Sequence, residues 1–334
     1  MREIYFGNKT HSSTHQSISL SMSSKYKLLI FLLLVTGVCL VLREMRPDIS
    51  VSLPLPTSCL CDKCLKDDDP WVMKHYDTSV EPFLTTDLNV SEESFKWWKN
   101  LQTESRSYDV FKATVASLLQ MFPSPPHKSS SSNCWTCSVV GNSGNLVGAN
   151  YGQLIDSHDV VIRMNKGMTK GFEEDVGRKT THRVMYPESA MDVENDTHLV
   201  LFPFKIMDIE WIMKASTTGF YGRRSYAPII PKIKVNKDLV RVVNPAFMRY
   251  VHHSWLEKTG SYPSTGFMTV VLAMHICNEV HVFGFGADSN GNWNHYWEKL
   301  WNKNLKTGVH PGKNEYNIIV QLAKTKKIEF YKGH

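Results

Sequence analysis

Two histidines in the C-terminal part of the sequence are candidates for acid–base chemistry. His295 lies in the polar, aromatic run W-N-H-Y-W-E, and His310 precedes Glu315 in the pattern H-x4-E. Imidazole exchanges a proton readily near neutral pH, so a loop histidine can act as a general base or bind a phosphate. The alternative is a surface histidine or a buried, hydrogen-bonded one, because the chain contains 14 histidines.

Three short segments of glycine and small polar residues could form an anion site. Val139 to Leu146 reads V-V-G-N-S-G-N-L, which predicts a buried strand, a tight turn and then a helix. Ser264-Thr265-Gly266 precedes an apolar helix, and Gly284-Phe285-Gly286 follows a strand. Backbone amides of such turns and of helix N-termini attract phosphate. Each segment alone is equally consistent with a structural turn or a helix cap, and none matches G-x-G-x-x-G or a P-loop.

Short apolar segments separated by turns follow Cys134 and must position these groups. Predicted strands cover residues 138–140, 160–164, 183–186, 199–202, 239–243, 280–285 and 328–331. Predicted helices cover residues 208–217, 246–258, 265–277 and 315–324. Strands that alternate with helices indicate an α/β fold with a mainly parallel central sheet flanked by helices. Ligands in such folds bind at the carboxyl ends of the strands.

Residues 28–42 form an uncharged apolar segment, L-L-I-F-L-L-L-V-T-G-V-C-L-V-L, between Lys27 and Arg43. As a helix it spans roughly 22 Å, against about 30 Å for a bilayer core, but flanking Lys and Arg can snorkel. A cleaved signal peptide or a buried core helix is the alternative, although no A-x-A-like cleavage site follows. The interpretation is an uncleaved transmembrane signal anchor. The excess of Lys and Arg before it predicts that residues 1–27 are a cytosolic tail.

The rest of the chain is predicted to lie in the lumen, with residues 43–58 as a Pro- and Ser-rich stem and 59–334 as one lumenal domain. The chain has 334 residues, 42% hydrophobic, which excludes a disordered protein. A net charge of +6 without a stripe of Lys and Arg argues against a nucleic-acid partner. In the lumen, the sequons at Asn89 and Asn195 are predicted glycosylation sites.

The seven cysteines include Cys39 in the apolar segment and two Cys-x2-Cys pairs, Cys61/Cys64 and Cys134/Cys137. This spacing permits a four-cysteine zinc site, but an oxidising lumen favours disulfides. Spacing alone cannot choose among the possible pairings. The acidic run 67–69 resembles a metal–nucleotide D-x-D motif, but no buried strand precedes it, and we interpret it as a solvated acidic run.

In this order, the segments resemble the sialylmotifs of the animal sialyltransferases. Residues 137–186 resemble the large motif, 262–285 the small motif, 295–298 the third motif and 310–315 the very small motif. The resemblance extends from about Cys59 to the C-terminus. It is closest to the β-galactoside α-2,3-sialyltransferases that act on Galβ1-3GalNAc, through C-x-C-x2-C at Cys59, W-W-x2-L-Q at Trp97 and Y-P-E-S at Tyr186. Asn294 is a departure, because close relatives tend to have His there.

The resemblance implies a Golgi enzyme of single-pass type II topology with one GT-A-like, Rossmann-like lumenal domain. It would transfer sialic acid from CMP-sialic acid, with inversion, to the 3-hydroxyl of terminal galactose in Galβ1-3GalNAc on glycoproteins or glycolipids. No metal or other cofactor is implied. The alternatives are an α-2,6 or α-2,8 linkage, or a lumenal glycan-binding protein that has lost catalysis.

The resemblance also implies roles for individual residues. His310 would be the general base, His295 would contact the phosphate of CMP, and Glu315 would hold the loop of His310. The implied donor-binding residues are His295, Asn142, Ser143, Asn165, Ser264, Thr265, Gly266 and Gly286. The implied acceptor-binding residues are Gln102, Tyr226, Tyr262 and His310. The implied disulfides are Cys59–Cys64, Cys61–Cys134 and Cys137–Cys277.

Overall fold

The computed structural model describes Leu33 and residues 69–87, 90–122, 134–221, 225–298 and 307–334. From residue 69 onward these belong to one compact unit, Thr57–His334. No helix within these ranges is long and apolar enough to cross a membrane. Apart from Leu33, the predicted anchor 28–42 lies outside the described residues, as do the stem, Cys59, Cys61, Cys64 and the sequon residue Asn89.

Within the described residues, seven parallel strands form the central sheet, in the order β5-β4-β3-β2-β1-β6-β7. The strands are β1 Thr136–Val140, β2 Val160–Met164, β3 His182–Met185, β4 His198–Leu201, β5 Val240–Val242, β6 Glu279–Phe283 and β7 Glu329–Tyr331. The register places Val139 beside Ile162 on one side and Val282 on the other. All neighbouring strands are parallel, so the α/β fold with a parallel central sheet is confirmed.

Nine α-helices surround this sheet within the described ranges. They are α1 Pro70–His75, α2 Glu92–Lys99, α3 Tyr108–Met121, α4 Gly152–Asp156, α5 Glu173–Val176, α6 Ile206–Ala215, α7 Pro245–Tyr250, α8 Thr265–Ile276 and α9 Gly312–Lys324. Side chains of Asp69, Ser91, Ser107, Asn244 and Ser264 cap α1, α2, α3, α7 and α8 by accepting backbone N–H bonds. Asp69 of the acidic run is therefore a helix cap.

Alternate strand residues face two different hydrophobic cores, as the period of two along a strand requires. Val139 and Val282 belong to the larger core, which also includes most of α8. Val140 and Phe283 belong to a smaller core with residues of α4 and α5. Helix α8 is buried around almost its whole circumference, which explains its continuously apolar sequence.

Two predicted helices differ from the structure. The predicted helix 246–258 becomes α7 followed directly by a π-helical turn, Val251–Trp255. The helix predicted after the Gly-rich turn is only a short 3-10 turn, Gly144–Leu146. It ends there because the next residue, Val147, has extended backbone angles, with φ of −63° and ψ of 122°.

Strand β1 and the end of α8 are joined by a disulfide between Cys137 and Cys277, whose Cα atoms are 6.1 Å apart. This confirms the third predicted pairing. Cys134 is also disulfide-bonded. Because both cysteines of the second Cys-x2-Cys pair are oxidised, the four-cysteine zinc alternative loses two of its thiolate ligands. The pairings that involve Cys59, Cys61 and Cys64 remain predictions.

Candidate active site

A cavity of about 780 Å³ lies at the carboxyl ends of β1, β2 and β6. The strand order reverses between β1 and β6, and an open α/β sheet binds its ligands at such a switch point. Among the lining residues are ten of the predicted site residues: Asn142, Ser143, Asn165, Tyr226, Ser264, Thr265, Gly266, Gly286, His295 and His310. Residues far apart in sequence thus meet in one cavity.

The turns that follow β1 and β6 are bonded to each other. The Ser143 N–H donates to the carbonyl of Gly284 at 3.1 Å, and the Ser143 hydroxyl donates to the carbonyl of Gly286 at 2.8 Å. A Cβ on Gly141 would lie 2.3 Å from the Gly284 carbonyl oxygen, so only glycine allows this approach. The N–H groups of Gly141, Ser143 and Gly144 are all used within the protein. Of the two alternatives for this segment, these three amides therefore fit the structural turn.

His295 reaches the cavity because its segment pairs with the turn after β1. The Tyr296 N–H donates to the Asn142 carbonyl at 3.1 Å, and the Gly144 N–H donates to the Asn294 carbonyl at 2.8 Å. The His295 ring stacks on Trp297, and its Nδ1 lies 2.7 Å from a carboxylate oxygen of Glu298. Nε2 is then the ring nitrogen left to a ligand. Asn294 also lines the cavity, so this departure from the family pattern lies in the site.

Helix α8 begins at the cavity, and Glu315 holds its first turn. The Ser264 hydroxyl caps the helix by accepting the Phe267 N–H at 3.1 Å. The Glu315 carboxylate accepts from the Ser264 N–H at 2.7 Å and from the Ser264 hydroxyl at 2.6 Å. Burial raises the pKa of Glu315, against the opposing effect of these hydrogen bonds. The helix N-terminus, with Thr265 and Gly266 lining the cavity, favours a negatively charged ligand.

His310 has a defined tautomer. Its Nδ1 lies 3.1 Å from the carbonyl oxygen of Tyr262, and its ring packs edge-on against the Tyr262 ring at a centroid distance of 4.9 Å. A carbonyl oxygen can only accept a hydrogen bond, so Nδ1 carries the hydrogen. In the neutral ring, Nε2 then has a lone pair, as a general base requires. Glu315 follows in the same chain segment and joins this loop to α8.

Asn165 follows β2 in a left-handed conformation with φ of +54°. Its side-chain Oδ1 accepts from the Ser189 hydroxyl at 2.8 Å, which leaves the amide hydrogens to donate. The buried guanidinium of Arg183 donates to the carbonyls of Asn165 and Gly167 at 3.3 and 3.0 Å. These bonds hold the turn after β2 in a conformation that most residues adopt at a cost.

Two of the predicted acceptor-binding residues, Gln102 and Tyr262, are not among the residues that line the cavity. Their side chains lie near each other, and Tyr262 contacts His310 as described. Tyr226 lines the cavity together with Tyr186. All the acceptor candidates therefore lie on the His310 side.

Several cavity residues were not predicted as site residues, including Met164, Tyr186, Phe285 and Tyr316. Their positions at strand ends could have indicated the first three, whereas Tyr316 lies in α9 and carries no such signal. In the described ranges, no group of three or more His, Cys, Asp and Glu side chains could hold a metal ion. Asn195 is exposed, as a glycosylation site requires.

Residues 83–327 match the family model of glycosyltransferase family 29 (sialyltransferase). The chain is 44% identical over 284 residues to CMP-N-acetylneuraminate-beta-galactosamide-alpha-2,3-sialyltransferase 2 of Rattus norvegicus, covering 83% of this chain and 81% of the relative. It is 42% identical to the corresponding sialyltransferase 1 of Gallus gallus, covering 82% of each. A crystal structure of a mammalian sialyltransferase in complex with Gal-beta-1-3GalNAc-ortho-nitrophenol superimposes with a TM-score of 0.75 at 42% identity, covering 83% of this chain and all of that one.

Proposed function

The chain belongs to glycosyltransferase family 29, the sialyltransferases, and from this we propose that it is an α-2,3-sialyltransferase. It transfers sialic acid from CMP-sialic acid to the 3-hydroxyl of galactose in Galβ1-3GalNAc glycans of glycoproteins or glycolipids. The observation that carries the proposal is that His310 and His295 line one cavity, with Nδ1 of His310 bound to the Tyr262 carbonyl. Support for the acceptor comes from the relatives' names and from the glycan bound in the similar crystal structure.

In the proposed reaction, Nε2 of His310 takes the proton of the galactose 3-hydroxyl. The hydroxyl oxygen then attacks the anomeric carbon of sialic acid on the face opposite CMP. The bond from that carbon to the phosphate oxygen breaks with its electron pair, so CMP leaves and the configuration inverts. One base is sufficient because a phosphate monoester is a good leaving group, whereas glycosidases need two carboxyl groups.

The negative charge that grows on the departing phosphate faces two positive groups. The N-terminus of α8 contributes its partial positive charge through Thr265 and Gly266. Contact between the phosphate and Nε2 of His295 requires a hydrogen on that nitrogen as well as on Nδ1, so the ring binds as an imidazolium. Its charge is balanced by Glu298, 2.7 Å from Nδ1. Asn142, Ser143, Asn165 and Gly286 complete the proposed donor site.

We infer that catalysis needs no metal ion, because the charge on the leaving group is met by His295 and the helix N-terminus. We also infer residence in the Golgi membrane as a single-pass type II protein, which rests on the apolar segment 28–42 and its flanking charges. The same topology would place the catalytic domain in the lumen.

The decisive experiment incubates the detergent-solubilised full chain with CMP-sialic acid and either Galβ1-3GalNAc or Galβ1-4GlcNAc. We expect transfer to Galβ1-3GalNAc, an α-2,3 linkage in the product by NMR, and the same rate in EDTA. Transfer to a 6-hydroxyl would overturn the linkage. No transfer to any acceptor would support the glycan-binding alternative. Inhibition by EDTA would overturn metal independence.

A further inference from the structure

The ammonium group of Lys205 lies beside the proposed acceptor residues and is almost fully enclosed. Lys205 immediately precedes α6, and its side chain is only 13% exposed. Its Nζ lies 2.8 Å from Oε1 of Gln102, 2.9 Å from Oδ1 of Asp208 and 3.2 Å from Oε1 of Glu188. Gln102 and Glu188 accept hydrogen bonds from this ammonium, and Asp208 forms an ion pair with it. Lys205 is not among the residues that line the cavity, so it would act on a substrate through these partners.

The contact with Lys205 determines which way the Gln102 amide points. An ammonium can only donate, so the amide oxygen must face Lys205 and the amide nitrogen must face the other way. Gln102 also lies near the phenol of Tyr262: burial raises the pKa of that phenol, and the Gln102 side chain opposes the effect. The amide N–H is therefore the group of Gln102 that can donate to the phenol oxygen or to a ligand.

A second set of bonds links Lys205 to Tyr226. Glu188, whose side chain is 3% exposed, accepts hydrogen bonds from both Lys205 and the Ser225 hydroxyl. Ser225 is the chain neighbour of Tyr226, which lines the cavity together with Tyr186. Lys205 is thus connected to Tyr262 through Gln102, and to Tyr226 through Glu188 and Ser225.

The charge on Lys205 is maintained in this enclosed position. Burial alone would lower its pKa, but the carboxylates of Asp208 and Glu188 more than offset that effect, and the pKa is raised. The ammonium therefore stays protonated at neutral pH and remains a hydrogen-bond donor.

On the basis of the proposed function, we propose that Lys205 is a positioning residue for the acceptor galactoside. It acts through Gln102 and through Glu188 with Ser225, which keep the N–H and O–H donors of the acceptor side in one orientation. Such donors recognise the hydroxyl oxygens of a neutral hexose. The donor site is formed by other elements, at the ends of β1 and β6 and the start of α8.

The test compares Lys205→Met with Lys214→Met, a control at an exposed position of α6, the helix that follows Lys205. We expect Lys205→Met to raise the KM for Galβ1-3GalNAc about tenfold or more, the size of one lost charge-assisted hydrogen bond. The KM for CMP-sialic acid should stay within about twofold, and Lys214→Met should change neither value. Equal increases in both KM values would indicate a merely structural role, and an unchanged acceptor KM would also overturn the proposal.

Replacing Lys205 leaves the buried side chains of Glu188 and Asp208 without their positively charged partner. If Lys205→Met does not fold for that reason, a second variant still tests the proposal. Gln102→Glu retains an oxygen for Lys205 but replaces the donating amide nitrogen with an acceptor. We expect a similar rise in acceptor KM with an unchanged melting temperature, and an unchanged acceptor KM would refute the orientation argument. If the wild-type chain transfers nothing to Galβ1-3GalNAc, the proposed function fails instead, which is a distinguishable result.

The energetic coupling between Lys205 and Gln102 can be measured as a further test. If Lys205 acts through Gln102, the combined Lys205→Met and Gln102→Ala substitutions should raise the acceptor KM by less than the product of the single effects. A rise equal to that product would show that the two side chains act independently, and would contradict the proposal.

Discussion

At the scale of single residues, His310 illustrates how one hydrogen bond determines a chemical role. The Tyr262 carbonyl takes the Nδ1 hydrogen and leaves Nε2 as the basic nitrogen. His295 has a different partner, the Glu298 carboxylate, which suits a ring that binds phosphate as a cation. The two histidines thus have the same side chain but different proposed roles, set by a carbonyl in one case and a carboxylate in the other.

We predict that His310→Ala abolishes transfer while CMP still binds. Loss of a general base typically costs about 10²–10⁴-fold in rate, and the proposed donor site does not depend on this side chain. The measurements are kcat with Galβ1-3GalNAc and the Kd for CMP by calorimetry. Val309→Ala, at an exposed position of the same loop, is the control and should change neither value. Loss of CMP binding in His310→Ala would falsify the assignment as base.

At the scale of elements, the site depends on how closely the turns after β1 and β6 approach each other. We predict that Gly141→Ala lowers CMP affinity at least about tenfold and also lowers the melting temperature. The added Cβ would lie 2.3 Å from the Gly284 carbonyl oxygen, so the two turns must separate. Titration with CMP and thermal unfolding measure both effects.

The control for this variant is Gly148→Ala. A Cβ there meets nothing within 4 Å, although the φ of +75° makes alanine strained. Its cost should be about 1–2 kcal/mol of stability, without loss of CMP affinity. Equal CMP affinities in the two variants would show that the distance between the turns is unimportant.

A second prediction at the scale of elements concerns the disulfide between β1 and α8. Cys137 and Cys277 are 140 residues apart in sequence, so the bond closes a long loop in the unfolded chain. Replacing both by Ala should reduce the free energy of unfolding by about 2–5 kcal/mol. Denaturant unfolding measures this, with Cys39→Ala as a cysteine control outside the predicted lumenal domain. A double variant as stable as the wild type would contradict the expected contribution.

At the scale of the whole molecule, a network of ion pairs and hydrogen bonds connects the segment between α2 and α3 with helix α6. Glu104 accepts hydrogen bonds from the Arg106 guanidinium and from the Ile206 N–H at the start of α6, and Arg106 also binds Glu210. Burial alone would raise the pKa of Glu104, but these bonds lower it to about 2. The ionised form is therefore more favourable in the folded state than in the unfolded state.

This pKa shift determines how the stabilisation of the folded state by Glu104 depends on pH. Because the folded-state pKa of Glu104 is depressed, its contribution is fully present above the unfolded value, 4.5, and is lost as pH falls towards about 2. Glu104→Gln should cost about 1–2 kcal/mol at pH 7, allowing for partial solvent screening. The difference from wild type should shrink between pH 4.5 and 2 in denaturant unfolding. Glu194→Gln, at an exposed position, is the control. A difference in unfolding free energy between Glu104→Gln and the wild type that does not change with pH would contradict this contribution of Glu104.

The sequence by itself determined the family and the parallel α/β fold, and it assigned ten of the residues that line the cavity. Strand β2 and the start of α8 matched their predicted bounds, because buried parallel strands and core helices leave uninterrupted apolar runs between turns. Asn165, Ser264, His295 and His310 were assigned through motifs whose order survives in the sequence. These assignments needed no distances.

The tertiary structure decided which partners those residues have. Pairing of residues 294–296 with the turn after β1, the tautomer of His310 and the enclosure of Lys205 join residues that are far apart in the chain. The proximity of Lys205 to Gln102, 103 positions away, leaves no local pattern. Periodicity reports only on neighbours within a few residues, whereas hydrogen-bond direction depends on the atoms that folding brings within 3 Å or so of each other.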